Sequence, residues 1–330
     1  MIVPTACGFG LRFRDLAGNW ETPPARRLTH AKLPFPAGTS HVSVMNIPLL
    51  LAALLATGDT VRVPLTPADT VAVEVSGSAG TPVVIVPGLL GGAYSFRKVV
   101  DGLTDEGFQV YVIDLFNPRN LADAPDASLF AQSERLAAVL DSLDVRGAIV
   151  IAHALGGGVA YRAALARPDL ARTIVALEAG PAETANSPGV RGALKYQLLI
   201  RIIGVRRALE KQIGGGVRKS AADPSWVTSD LVRAYATPFA DDFGLTTRVF
   251  RAMSESKEPW LLGPRLPELR TPVHFLSAGG PREGAMPPEE MEQLKMLPNL
   301  EVHTVENAGT WIQEERPDYI IDLVRQIQAR

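Results

Sequence analysis

From Asp59 onward the chain alternates short, nearly all-apolar β-branched runs with amphipathic segments of helical period, and no other feature restricts the fold as strongly. The runs are Val61–Leu65, Val71–Val75, Val83–Val86, Val110–Leu115, Ala148–Ala152, Thr173–Leu177, Val273–Leu276 and Val302–Val305. Helical stretches stand between or after them at Ser95–Leu103, Ser128–Leu143, Gly156–Ala166 and Tyr319–Ala329. A continuous apolar strand must be buried on both faces, so the expectation is an α/β fold with a mostly parallel sheet and helices on both sides. From about Pro181 to Arg270 the alternation stops, and helical segments follow one another without a convincing strand. An inserted helical lid, placed at about 181–265, accounts for that interval.

Residues 1–58 are of a different kind. Pro, Gly, Arg and isolated aromatics (Phe9, Phe13, Trp20, Phe35) fill residues 1–44 without periodicity, so this arm cannot form a core alone. It is either a tail or a segment that orders against a protein partner. Leu33–Gly58 carries no formal charge, Ile47–Ala56 is strongly apolar, and Arg26, Arg27 and Lys32 precede it. That pattern fits a signal peptide or anchor, giving a membrane-associated or periplasmic protein. It fits equally a packed helix leading into the first strand, giving a cytoplasmic one. The division expected is an arm with its apolar segment over 1–58 and one α/β domain over 59–330.

Lys and Arg total 33 against 35 Asp and Glu, so the net charge of −2 provides no general field for nucleic acid. Cys7 is the single cysteine, and there is neither a CxxC pair nor a Cys/His cluster with zinc spacing, so no metal and no cofactor are expected.

The stretch Gly147–Ala166, GAIVIAHALGGGVAYRAALA, is a buried strand, a turn of small residues and a helix. A nucleophile elbow of the G-x-S-x-G type needs that geometry, because a sharp strand-to-helix turn lifts a hydroxyl above the sheet. Ala152, His153, Ala154, Leu155 and Gly156 occupy the pattern. Here the chain resembles the α/β-hydrolase family, esterase and lipase-like, with a methyl group where the family has its reactive hydroxyl. Three further stretches resemble the family in its own order. Pro82–Gly92 (PVVIVPGLLGG) is similar to the strand and loop that complete the oxyanion hole, which the resemblance assigns to the backbone N–H groups of Leu89 and Leu155. Thr271–Pro287 (TPVHFLSAGGPREGAMP) is similar to the acid-bearing loop and places Glu283 at the acid position; an ordinary exposed carboxylate is the competing reading. Val305–Tyr319 (VENAGTWIQEERPDY) is similar to the loop bearing the base, with Thr310 where the histidine belongs.

A threonine hydroxyl does not titrate near neutral pH and cannot replace imidazole as a proton shuttle. The resemblance, taken with Ala154, Glu283 and Thr310 as vestigial triad positions, implies a catalytically inactive protein serving as a binding or structural subunit, in the setting of a membrane-associated complex. An exchange made to trap substrate would explain Ala154 but not Thr310. The alternatives are a non-standard hydrolase or lyase acting on a small apolar ester-like substrate, with the oxyanion hole and Glu283 as base, and a small-molecule receptor. His153, His274 and His303 are expected to be structural.

Between Arg191 and Lys219 stand eight basic residues and one acid, Glu210, around the apolar run YQLLIRIIGV. Such a lid meets a membrane surface or protein partner, or else it buries Leu198, Leu199, Ile202 and Ile203 over the sheet with its basic side chains snorkelling outward. Leu89, Leu90, Tyr94, Trp226, Phe239 and Trp260 are the expected pocket lining.

Overall fold

A computed structural model describes residues 13–14, 20–21, 58–279 and 286–330. The apolar segment, nearly all of the arm and Glu283 lie outside the described residues. Within the arm, Phe13–Arg14 pairs antiparallel with Trp20–Glu21.

The domain is built on eight strands: β1 Asp59–Thr66, β2 Asp69–Ser76, β3 Pro82–Val86, β4 Gln109–Val112, β5 Ala148–His153, β6 Ala171–Leu177, β7 Val273–Ala278 and β8 Leu300–Val305. Their spatial order is β8-β7-β6-β5-β3-β4-β2-β1. Only β1–β2 and β2–β4 pair antiparallel; every other pair is parallel. Each apolar run of the sequence lies in one of these strands. Val110–Leu115 overruns its ladder, which stops at Val112, although Ile113 N–H still donates to Ile85 O at 2.9 Å.

The helices are α1 Arg97–Asp105, α2 Pro118–Leu121, α3 Leu129–Ser142, α4 Leu155–Ala166, α5 Pro188–Lys195, α6 Gln197–Ile203, α7 Val205–Ser220, α8 Ser229–Ala240, α9 Phe243–Glu255, α10 Pro288–Leu294, α11 Ile312–Glu315 and α12 Pro317–Ala329. Side chains alternate across the sheet with period two. Val83, Ile85, Ile149 and Ile151 face a core completed by Val99 and Leu103 of α1 and Leu323, Val324 and Ile327 of α12. Val84, Val86, Val150 and Ala152 face the other core, shared with α3, α4 and the lid. Central strands β3 and β5 are apolar throughout because both their faces are covered, whereas edge strand β1 keeps one exposed face.

Between β6 and β7 the chain forms five helices, α5–α9, and no strand. In this layer α6 departs from its burying role: Ile200 is its one buried residue, while Leu198 is 73 % and Ile202 82 % exposed, with Leu199 and Ile203 also outward. Seven residues ending at Gly204, whose φ is 100°, make a helix too short to turn its whole apolar surface inward. Among the described residues, no helix is long and apolar enough to cross a membrane.

Candidate active site

Strand β5 ends at His153 and α4 begins at Leu155; between them Ala154 has φ 48° and ψ −119°. A side chain with a Cβ is held in the left-handed region at a cost on the order of 1–3 kcal/mol. The surrounding fold imposes that strain, for Gly156 and Gly157 pack against the neighbouring backbone: a Cβ at Gly156 would lie 2.3 Å from Val86 O, and one at Gly157 2.6 Å from Ala179 Cβ. No side chain caps α4; in its first turn Gly157 N–H donates to Ala154 O at 3.0 Å.

The loop after β3 closes over this point. A Cβ at Gly88 would lie 3.2 Å from Ala154 Cβ, so the loop passes directly against the elbow. Among the described residues, neither the Leu89 nor the Leu155 N–H donates to a protein acceptor, and both residues, like Ala154, are half-buried. Two main-chain donors beside a partly accessible methyl group can receive a developing oxyanion.

Asp114, just beyond β4, supports the same loop, accepting from the N–H groups of Asn117, Ala93 and Phe116. Burial pushes its carboxyl up to about 7, with Glu74 adding to the rise and the three N–H groups opposing it. Because the folded value exceeds the unfolded one, this group favours folding below about pH 4, and that contribution is lost as pH rises toward 7. In Asp114→Asn the fall in stability over that window should disappear, which urea midpoints at a series of pH values will show. An unchanged pH profile would contradict the assignment.

Thr310 is held through its main chain: its N–H donates to Ser220 O at 3.0 Å, and its carbonyl accepts from His153 Nε2 at 3.1 Å. The His153 ring is buried between Phe96 and Trp311. Burial lowers it to about 4, so it is neutral at pH 7. With Nε2 as donor to a carbonyl, Nδ1 is the lone-pair nitrogen, and it has no partner. His153 therefore joins the elbow to the Thr310 loop. Trp311 Nε1 and Ser220 Oγ lie 2.9 Å apart, and Glu315 accepts from Gly309, Ala222, Asp223 and Trp226 Nε1, clamping the end of α7 to that loop.

The carboxylates near the ends of β6 and β7 were not legible in the sequence. Glu178, at φ 45°, is buried and accepts from Ala278 N–H at 2.6 Å, tying the two strand ends together. Glu290 on α10 approaches Gly180 so closely that a Cβ there would lie 2.1 Å from its Oε2. Burial raises the Glu290 carboxyl, and the charges of Glu183 and Glu289 raise it further. No local motif marks either residue, because each is defined by what lies across the sheet ends.

Of the expected pocket lining, Leu89 and Leu90 are half-buried in the loop at the elbow. Tyr94 is 45 % exposed, with the Arg97 guanidinium over its ring. Trp226 belongs to the Glu315 clamp, Phe239 packs on Phe250 inside the lid, and Trp260 lies against Phe130, Arg162 and Arg265. The structure thus gathers Ala154, Leu89, Leu90 and Leu155, and couples Thr310 to them through His153.

Sheet order, elbow and loop positions are those of an α/β-hydrolase scaffold. The chain belongs to the Alpha/beta hydrolase family, which it matches over residues 83–323. It is 25 % identical over 266 residues to the sn-1-specific diacylglycerol lipase ABHD11 of Mus musculus, covering 77 % of this chain and 83 % of that protein. It is 27 % identical over 249 residues to the uncharacterized hydrolase YugF of Bacillus subtilis (strain 168), covering 72 % and 86 %. The solved structure of the epoxide hydrolase CorEH without ligand superposes with a TM-score of 0.65 at 17 % identity, covering 82 % of this chain and 98 % of that one, a likeness of fold. These relatives overturn the expectation of an inactive binding or structural subunit, since the names they carry are those of a lipase and a hydrolase. They favour instead the alternative of a non-standard hydrolase that keeps the main-chain donors of Leu89 and Leu155, which survive side-chain exchange.

Proposed function

We propose that this chain is a hydrolase of small apolar ester-like substrates that works without a covalent acyl-serine intermediate. The observation that carries the reading is the retained elbow, where Ala154 is kept at φ 48° beside two N–H groups that no described protein group accepts. With Ala154 and Thr310 at the positions of nucleophile and base, the attacking group is water. The substrate carbonyl lies over Ala154 with its oxygen toward the Leu89 and Leu155 N–H groups. A carboxylate of the segment after β7 removes a proton from water as its oxygen bonds to the carbonyl carbon. The tetrahedral oxyanion then collapses, the bond to the leaving oxygen breaks, and the carboxyl group returns the proton to the alcohol. Glu283 is the base by its place in the family pattern; Glu290 is the second candidate, because a raised carboxyl is the better proton acceptor at neutral pH. The half-buried side chains of Leu89, Leu90 and Leu155 suit an apolar acyl group, and the exposed apolar face of α6, with Lys195 and Arg201 beside it, offers such a substrate, or an anionic lipid surface, a place to approach.

Oxyanion stabilisation and binding are worth on the order of 10³–10⁴ over water, and a positioned base a further ~10²–10⁴. The full-length chain should therefore hydrolyse p-nitrophenyl butyrate above a heat-denatured control, and remain unlabelled by a serine-directed fluorophosphonate. Either Glu283→Gln or Glu290→Gln should lower kcat by about 10² or more. Turnover no faster than the denatured control would overturn the reading; full activity in both glutamine variants would remove the carboxylate base.

A further inference from the structure

Away from the elbow, three side chains converge where β7, β8 and α12 meet. Glu301 and His303 alternate on β8, so they share a face, and the parallel register sets His274 of β7 opposite Glu301. His274 Nδ1 lies 3.0 Å from His303 Nε2 and 3.3 Å from Glu301 Oε2, and His303 Nε2 lies 3.5 Å from Glu301 Oε1. In tetrahedral zinc coordination with bonds of about 2.0–2.1 Å, neighbouring ligand atoms are about 3.3–3.4 Å apart. The two imidazoles meet different oxygens of Glu301, so the contacts of 3.0, 3.3 and 3.5 Å join four atoms, and one ligand atom from each residue lies within 4.8 Å of the other two, close enough for a single cation to touch all three. We propose that His274, Glu301 and His303 form a site for a divalent zinc-type cation, with water as fourth ligand.

Hydrogen bonding alone leaves this cluster poorly matched. One proton can lie between the two imidazole nitrogens, and the Glu301 oxygens then face a nitrogen lone pair. A cation among them takes one lone pair from each residue at once, in competition with the Arg330 guanidinium, whose Nη1 stands 3.9 Å from Glu301 Oε2. Tyr319 of α12 supplies outer support: its hydroxyl lies 3.3 Å from His303 Nδ1, so accepting that N–H leaves Nε2 free for the cation. Access is open, since Glu301 is 52 % exposed and a recess of about 170 Å³ lies beside His303, lined by Tyr319, Asp322, Leu323 and Gln326. The site is far along the strands from the elbow, near the amino half of β7, and its role is to clasp edge strand β8 to β7. Because β8 has a single neighbour in the sheet, an added cross-link there should stabilise the domain.

The test uses the full chain, dialysed against EDTA and titrated with ZnCl2 alone. One equivalent should bind with a rise in Tm, and CoCl2 should give the intense visible bands of a tetrahedral ion. Glu301→Gln, at a half-exposed position that tolerates the change, and His303→Gln should each weaken zinc by at least about 100-fold, and Tyr319→Phe by about tenfold. His30, His41 and Cys7 could also attract zinc, but binding there would persist in Glu301→Gln. No zinc-induced shift, or equal affinity in Glu301→Gln and the unaltered chain, overturns the proposal.

Discussion

The double variant Ala154→Ser/Thr310→His is expected to hydrolyse short p-nitrophenyl esters at least ~10³-fold faster than the unaltered chain, and to become labelled by a fluorophosphonate. Each single change should alter the rate by less than about tenfold, since a hydroxyl without a base and an imidazole without a nucleophile are equally idle. The structure gives reasons to expect the gain. Position 154 already has the elbow conformation, and its half-buried methyl can accept one more oxygen. Thr310 is fixed by main-chain bonds to Ser220 and His153, so a new side chain can be introduced without releasing the loop. A folded double variant with the parental rate would show that the hole over Ala154 cannot bind an oxyanion, and the proposed hydrolysis would fall with it.

The largest loss of stability is expected from Arg135→Ala. Arg135 and Asp69 are both buried, joined by Nε–Oδ2 and Nη2–Oδ1 contacts of 2.9 and 2.6 Å. Arg135 also donates to Asn120 O and Gln132 Oε1. Asn120 in turn pairs through its amide with Ala72 N–H and carbonyl on β2 and donates to Asp114 O, so the network reaches the residue that supports the oxyanion loop. Removing the guanidinium leaves the Asp69 carboxylate buried without its partner, at a cost of about 3–5 kcal/mol. That is a large part of the ~5–15 kcal/mol stability of an ordinary domain. Guanidinium-induced unfolding should show the midpoint shift, and Arg135→Met/Asp69→Leu should recover much of it because neither charge is then stranded. A shift below about 1 kcal/mol in Arg135→Ala would mean that water reaches Asp69.

The strands were legible because a buried parallel strand must be apolar along its whole length, as Val83–Val86 and Ala148–Ala152 are. The elbow was legible because close backbone approach at Gly156 and Gly157 leaves small residues as its written trace. What Ala154 and Thr310 mean for activity was not legible from the two side chains, because oxyanion stabilisation depends on N–H groups that every residue but proline carries, and only the hydrolase relatives weigh against an inactive chain. Trp226 shows the same limit: an aromatic residue suggests a pocket, yet its indole N–H is spent on Glu315.

By itself the sequence determined the sheet, its two-sided burial and the strand–turn–helix at Ala154, since these follow from local periodicity and residue size. Tertiary structure decided that Asp114 is buried under the oxyanion loop, that α6 turns its leucines outward, and that His274 meets Glu301 and His303. The physical reason is register and packing: each pairing joins residues distant along the chain, and one residue of slip between β7 and β8 would send the histidines to opposite faces of the sheet.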